Sequence, residues 1–179
     1  MPEYKQLERP YYFYGKLLTA DDLALEQDYG RDRSRRNNRF LHGWGIVSGL
    51  GVYIEDETTV VVTPGLALDC AGNELVLATA EKLSLACLTG KHYLTISYLE
   101  IPVAPQPSLY DGTDFSRVRE AVCIELASTN PAAGHRGMAA GSPGCGQSHA
   151  LCLAAVSQRD MQWRVVPAKN SVLPKTRRK

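Results

Sequence analysis

The sequence has no long apolar run. Charges are scattered through the opening MPEYKQLERPYYFYGK, which leaves no signal-peptide core, and nowhere do apolar residues continue for the ~20 positions that a bilayer span requires. The reading is of a chain made and kept in the cytoplasm, with no direct membrane insertion. Net charge is equally scarce. Twenty Lys and Arg stand against 19 Asp and Glu, a formal +1, so nothing pulls the whole molecule toward nucleic acid and any charge-driven binding is local. An even cysteine framework is missing too, and the five scattered cysteines read as reduced core residues. There is no phosphate loop, dinucleotide fingerprint, nucleophile elbow or metalloprotease helix motif. The acid pairs Asp21–Asp22 and Asp56–Glu57 fall at a helix start and in a hairpin turn, where capping and turn roles account for them. The protein is expected not to be an enzyme.

What is present is 179 residues with 44% hydrophobic and 22% charged content, enough for one well-packed domain with or without an appendage. The richest stretch runs from Leu18 to Val52. Thr19, followed by Asp21 and Asp22, starts a helix: a hydroxyl that accepts from an orphan amide, then acids suited to the positive end of the helix dipole. Arg31, Arg33, Arg35, Arg36 and Arg39 crowd its last turns, and Gly43 and Gly45 stop it near Leu41. The middle of this helix is polar, so it faces solvent or a polar partner. Gly30 within it marks a bend or a close approach by another backbone. Asp28 and Asp32 lie at ion-pairing distance along the helix from Arg31, Arg35 and Arg36, and a solvated, internally paired face is one reading. The other is a partner interface made by Arg31, Arg35, Arg36 and Arg39. Nucleic acid is not expected there, because the domain is near neutral.

Before the helix, residues 1–17 form an arm carrying Tyr4, Tyr11, Tyr12, Phe13 and Tyr14. Such rings either fold back to close the core or offer a contact surface to a neighbouring subunit. After the helix, His42, Gly43, Trp44 and Gly45 make a structural corner in which the glycines take positive φ and Trp44 plugs the core. His42 has no nucleophile or carboxylate beside it and reads as structural.

From Ile46 the pattern is β. Short runs at 46–54, 59–63, 66–69 and 74–77 are separated by turn residues and suggest an antiparallel meander, with Cys70-Ala71-Gly72-Asn73 as a tight hairpin turn. Runs 83–88 and 92–101 continue it, and in the second Leu94, Ile96 and Tyr98 share the more apolar side. Pro102, Pro105 and Pro107 suggest a polyproline-like connector, followed by loop to about Ser116 and a strand over 119–127. Residues 128–150 read as a flexible Gly/Ala/Ser/Pro loop, 151–168 as a final hairpin and 169–179 as a disordered basic tail. Within that loop Cys145, His149 and Cys152, with His135 upstream, are the one metal-like set. They are ligands that zinc favours, in a spacing that fits no common zinc motif; no other cofactor is implied.

The segments YFYGKLLTADDLALEQDYGRDRSRRNNRFLHGWGIVSGLGV, VTPGLALDCAGNELVLATAEKLSL and YLTISYLEIPVAPQPS together resemble a family of small proteins encoded beside baseplate and sheath genes of phage-tail-like contractile injection systems. The resemblance covers roughly residues 11–125 and is most specific at HGWG. It implies a structural or adaptor subunit of a tail-like particle, at the baseplate or at a fibre or cap attachment, present in several symmetric copies and contacting baseplate, sheath, tube or fibre proteins. The alternative is a stand-alone β module that binds a carbohydrate or peptide through Tyr98, Tyr110 and Trp163. The expected fold is α+β, with the arm and one long helix packed on a mainly antiparallel sheet that forms a sandwich or partial barrel.

Overall fold

The structure is a computed structural model and describes residues 6–109, 112–131 and 144–169. Among the described residues one α-helix, α1 (Ala20–Asn37), precedes ten strands: β1 (Gly45–Gly49), β2 (Val52–Asp56), β3 (Thr59–Val62), β4 (Gly65–Leu68), β5 (Glu74–Leu77), β6 (Glu81–Ser84), β7 (Lys91–Pro107), β8 (Thr113–Ala127), β9 (Leu151–Arg159) and β10 (Gln162–Pro167). Every pairing among them is antiparallel. The fold is α+β with one sheet curled as a half-barrel. Among the described residues no helix is long and apolar enough to cross a membrane.

α1 begins where Thr19 caps it. The Asp22 amide donates to Thr19 Oγ1 at 3.2 Å and the Thr19 amide donates to Asp22 Oδ2 at 3.2 Å, a reciprocal capping box. The Lys16 ammonium, 2.8 Å away, and then the Thr19 amide and hydroxyl hold the Asp22 carboxyl below the usual carboxylate range. The helix does not run to Leu41 in α form. From Asn38 to His42 it widens into a π-helical turn and ends at Gly43, whose amide donates to Asn38 O at 2.9 Å.

The run 46–54 is divided. Gly49 (φ 63) and Leu50 (φ 54) bend the chain, so β1 pairs with β4 in a sheet ordered β1-β4-β5 while β2 pairs with β3 in a sheet ordered β2-β3-β6. The bend is matched across the hairpin by Thr63, Pro64 and Gly65: Leu50 N donates to Pro64 O at 3.2 Å, and Thr63 N donates to Gly51 O at 2.8 Å. A Cβ at Gly49 would lie 2.7 Å from Gly65 Cα, so the two glycines allow the strands to cross the bend in contact. What the sequence suggests as one meander is thus a bent hairpin shared between two small sheets.

The third sheet, ordered β10-β9-β7-β8, lies against them, with β10 touching β2 and β5 touching β7 and β8. Its register places Leu94 opposite Leu126, Ile96 opposite Ile124 and Tyr98 opposite Val122, the apolar side expected from their alternation. Leu94, Ile96, Leu151, Leu153 and Val156 from this sheet and Leu50, Val60, Val62, Ala67, Leu75 and Leu77 from the small ones form one buried core with Trp44. The final hairpin turns at Asp160 (φ 50) and Met161 (φ 61) between the paired Arg159 and Gln162, the two positive φ values of the tight turn that suits strand twist.

The proline-rich segment is not a connector. Pro102, Pro105 and Pro107 lie inside β7, opposite Val118, Phe115 and Thr113 of β8. β9 accompanies β7 only as far as Ile96, so beyond that point no described strand pairs with that edge of β7, and a proline whose missing N–H falls there costs the ladder nothing. The β7–β8 hairpin therefore extends past the sheet as a two-stranded ribbon.

Candidate docking site

The helix meets the sheet through polar side chains. Arg31, Arg35 and Arg39 follow one another at four-residue spacing and so lie in a single row, and this row is turned toward the chain's own β elements. Arg31 pairs with Asp28 one turn earlier. Arg31 Nη1 and Arg35 Nη2 each approach Glu100 Oε1 at 3.7 Å. Arg35 also lies over the Tyr98 ring, 5.8 Å from its centroid, and the Tyr98 hydroxyl donates to the same Glu100 oxygen at 2.9 Å. Burial first, and then that hydrogen bond, raise the Tyr98 phenol well above its ordinary pKa, so Tyr98 acts here as a donor. Ion pairs this open to solvent contribute at most about 1 kcal/mol each; they orient the helix more than they stabilise it. Between helix and sheet they line a cleft of ≈ 440 Å³, whose other wall is Gly72–Glu74 and Glu120. Gly30 borders this cleft in an unbroken helix, and no other backbone comes within 4 Å of where its Cβ would be.

The C-terminal end of the helix is fastened to the turn between β4 and β5. Asn38 Nδ2 donates to Gly72 O at 2.9 Å. Gly72 has φ 88, and a Cβ there would sit 2.9 Å from both the Cα and the carbonyl carbon of Arg35, with the carbonyl oxygen nearer still. Only glycine permits this approach. We expect Gly72→Ala to lower stability by about 1–3 kcal/mol through the disfavoured backbone and the helix displacement it forces. Urea denaturation, with amide exchange at residues 35–42, measures both effects.

The turn itself is built on Asp69, fully buried at 0% exposure. Its carboxylate accepts from Ala71 N (2.9 Å), Asn73 N (2.9 Å), Asn73 Nδ2 (2.7 Å) and Ser148 Oγ (2.8 Å). The last of these ties the turn to the segment 144–148. That segment also meets the helix end: Arg39 Nη2 donates to Gly144 O at 3.1 Å, and the same guanidinium lies over Phe40. In the corner Gly43 has φ 78 and Gly45 φ 132, and between them Trp44 is 4% exposed and belongs to the core. His42 is exposed.

Among the described residues the aromatic arm does not close the core; Tyr4 falls outside them. Tyr12 and Lys16 hold it against α1 by polar contacts: Tyr12 OH donates to Glu26 Oε2 at 2.6 Å, Lys16 reaches Asp22, and the Lys16 ammonium lies 5.5 Å from the Tyr12 ring centroid. The apolar groups point outward. Tyr11, Phe13, Tyr14 and Leu17 are exposed, Leu17 by 83%, and Leu18, Leu23 and Leu25 are exposed as well. Of the four arginines that suggest a partner interface, Arg31, Arg35 and Arg39 are engaged by this chain, while Arg36 lies on the exposed side of the helix.

Cys145, His149 and Cys152 are not brought together, and among the described residues no three His, Cys, Asp or Glu side chains are grouped to hold an ion. Cys152 is buried in β9 with its thiol toward Ala154 O at 3.6 Å, and Cys145 lies against Cys70 instead. His135 and Tyr110 fall outside the described residues. Of the other aromatic residues suggested for ligand binding, Tyr98 and Trp163 pack against the core. The sequence reading missed Asp69, Gly72, Glu100 and Glu120. The signal for the first two was local: an Asp followed by Gly-Asn at the close of a hairpin is the pattern of a side chain capping its own turn. The ion-pairing role of Glu100 carries no local signal, since the arginines it meets are on a distant helix.

No protein-family model matches the chain, and no curated protein matches it. Solved structures do. A chain of the TssK–TssF–TssG baseplate subcomplex of a type VI secretion system aligns with TM-score 0.55 and 10% identity over 90% of this chain, and TssK in its crystal structure with TM-score 0.52 and 12% identity, also over 90%. This chain spans 60% and 41% of those chains. At such identities the likeness is one of fold.

Proposed function

We propose that the protein is a structural subunit of a phage-tail-like contractile injection particle, seated at its baseplate, which docks onto neighbouring baseplate subunits through the arm at 11–18 and the outward side of α1. The observation that carries this is the arm: four large apolar side chains held out to solvent by a tyrosine and a lysine that bind the helix through polar atoms. A monomer gains nothing by ordering rings in water, whereas such rings are the usual anchors of an interface core. The fold supports the setting, since the chains it resembles are baseplate proteins whose solved assembly contains TssK, TssF and TssG. Arg36, on the exposed side of the helix, supplies a cation at the rim, where charge steers encounter more than it adds affinity.

The test is co-purification of the chain with the baseplate proteins of its own system. The wild-type chain is expected in purified particles. The double variant Tyr14→Asp, Leu17→Asp should keep its folding stability within about 0.5 kcal/mol, as exposed positions do, while its recovery with particles falls about tenfold or more, as for loss of an interface anchor. A wild-type chain absent from particles, or a double variant recovered at the wild-type level, overturns the proposal.

A further inference from the structure

Two of the five thiols come from distant parts of the chain and meet. Cys70 follows β4 and is 3% exposed, whereas Cys145 is exposed. Both neighbours of Cys145 touch the Cys70 backbone. The Gly146 amide donates to Cys70 O at 3.0 Å, and Gly144 lies so near that a Cβ on it would sit 2.6 Å from Cys70 Cα. Cys145 is therefore held between two residues that both touch the Cys70 backbone, on the same side as Cys70, and a disulfide closes across Cα separations of about 4.4–6.8 Å. Its thiol is turned toward Gln147 O at 3.9 Å, and its proximity contributes to raising the Cys70 thiol. The remaining cysteines are placed otherwise: Cys152 is buried in β9, Cys123 is exposed on β8, and Cys87 is exposed in the turn after β6.

We infer that Cys70 and Cys145 form a modification site, a dithiol that closes to an intramolecular disulfide on meeting a low-molecular-weight disulfide oxidant. The exposed Cys145 thiolate attacks one sulfur of the oxidant. The oxidant's S–S bond breaks, one small thiolate leaves, and a mixed disulfide forms on Cys145. The Cys70 thiol then gives up its proton and attacks Cys145 Sγ, the mixed disulfide breaks, and the second small thiol leaves. Two protein thiols are oxidised and one small disulfide is reduced to two thiols, so atoms and electrons balance. The order follows from access. Burial, with the neighbouring Cys145 next, pushes the Cys70 thiol up to about 11, which makes it slow against a reagent in solution and leaves it to act on the sulfur already beside it.

The bond would join three parts that now meet through single hydrogen bonds: the β4–β5 turn, the segment 144–148 through Gly146 and Ser148, and the helix end through Arg39. It would thus set how firmly the far end of α1 is held, without touching the aromatic arm.

The experiment uses the full chain, reduced and then exposed to oxidised glutathione. Free thiols should fall from five to three, the intact mass should drop by two hydrogens, and a peptide map should contain the Cys70–Cys145 link. Cys145→Ser should abolish the link, while Cys87→Ser and Cys152→Ser leave it in place. A stable glutathione adduct on Cys145 with Cys70 still open to alkylation after unfolding overturns the inference. So does a link that pairs either residue with another cysteine or with a second chain. Cys145 is exposed, so its serine variant folds and the comparison can be read.

Discussion

Replacing Asp69 by Ala should destabilise the protein by about 3–5 kcal/mol, the range for breaking a buried hydrogen-bonded charge site. At roughly 2–4 °C per kcal/mol for a chain of this size, that is a fall in melting temperature of about 10 °C. Four donors converge on this carboxylate, two of them backbone amides that no other group is placed to receive. Removing the acceptor leaves the two Asn73 donors buried, and each of the four donors loses a charge-assisted bond. Asp69→Asn should recover part of the loss, because the amide oxygen still accepts while its nitrogen opposes the donors. Ser148→Ala, which removes one donor together with its bond, should cost about 1 kcal/mol. Thermal and urea denaturation of the three variants measures the series. A loss for Asp69→Ala of no more than about 1 kcal/mol would show that water replaces the carboxylate, and that the turn does not depend on it.

Trp44→Ala carries the other large effect, again about 3–5 kcal/mol, from the lost transfer of a large ring and the cavity left behind. The position is unforgiving for a geometric reason. Gly43 and Gly45 hold the backbone in conformations that fix where the ring enters the core, so neighbouring side chains cannot collapse into the space by a simple shift of the chain. Trp44→Phe should lose less, about half as much, because most of the apolar contact survives. The only other tryptophan, Trp163, lies half-buried in β10 and remains as a fluorescence reporter of unfolding in both variants. A Trp44→Ala protein with an unchanged urea midpoint would mean that the corner does not plug the core.

The sequence was most readable where the physics is local. Thr19 and Asp22 satisfy each other across three residues, and the structure has that capping box. Leu94, Ile96 and Tyr98 alternate with polar neighbours, and they face the core opposite Ile124 and Leu126. It was least readable where a residue's role depends on what lies beside it in space. Pro102, Pro105 and Pro107 look like a connector because proline is excluded from paired interior strands, and only the sheet order shows that no described strand pairs with one edge of this part of β7. Gly49 and Leu50 hide a change of sheet inside an apolar run of ordinary strand composition. The arginines show the same limit: their spacing shows that they form a row, but not that Glu100 and Tyr98, some sixty-five residues away, would be waiting for it. Asp69 does carry a local signal, an Asp ahead of a Gly-Asn turn, because the amides it receives, those of Ala71 and Asn73, lie two and four residues on.

The prolines of β7 also decide what the ribbon can do among copies of itself. A two-stranded ribbon projecting from a sheet offers two rows of backbone groups, and either can take up a strand from another molecule. Pro102 and Pro105 are an odd number of residues apart, so the prolines of β7 fall toward both of its edges and at least one deletes a donor from the row that β9 leaves open, while β8 is the outer strand of its sheet and bears no proline from Thr113 to Ala127. Strand addition is therefore easier on β8 than on β7. A second chain that zips onto β8 finds its own β7 edge a poorer template for the next strand, so contacts of this kind favour a pair over a fibre.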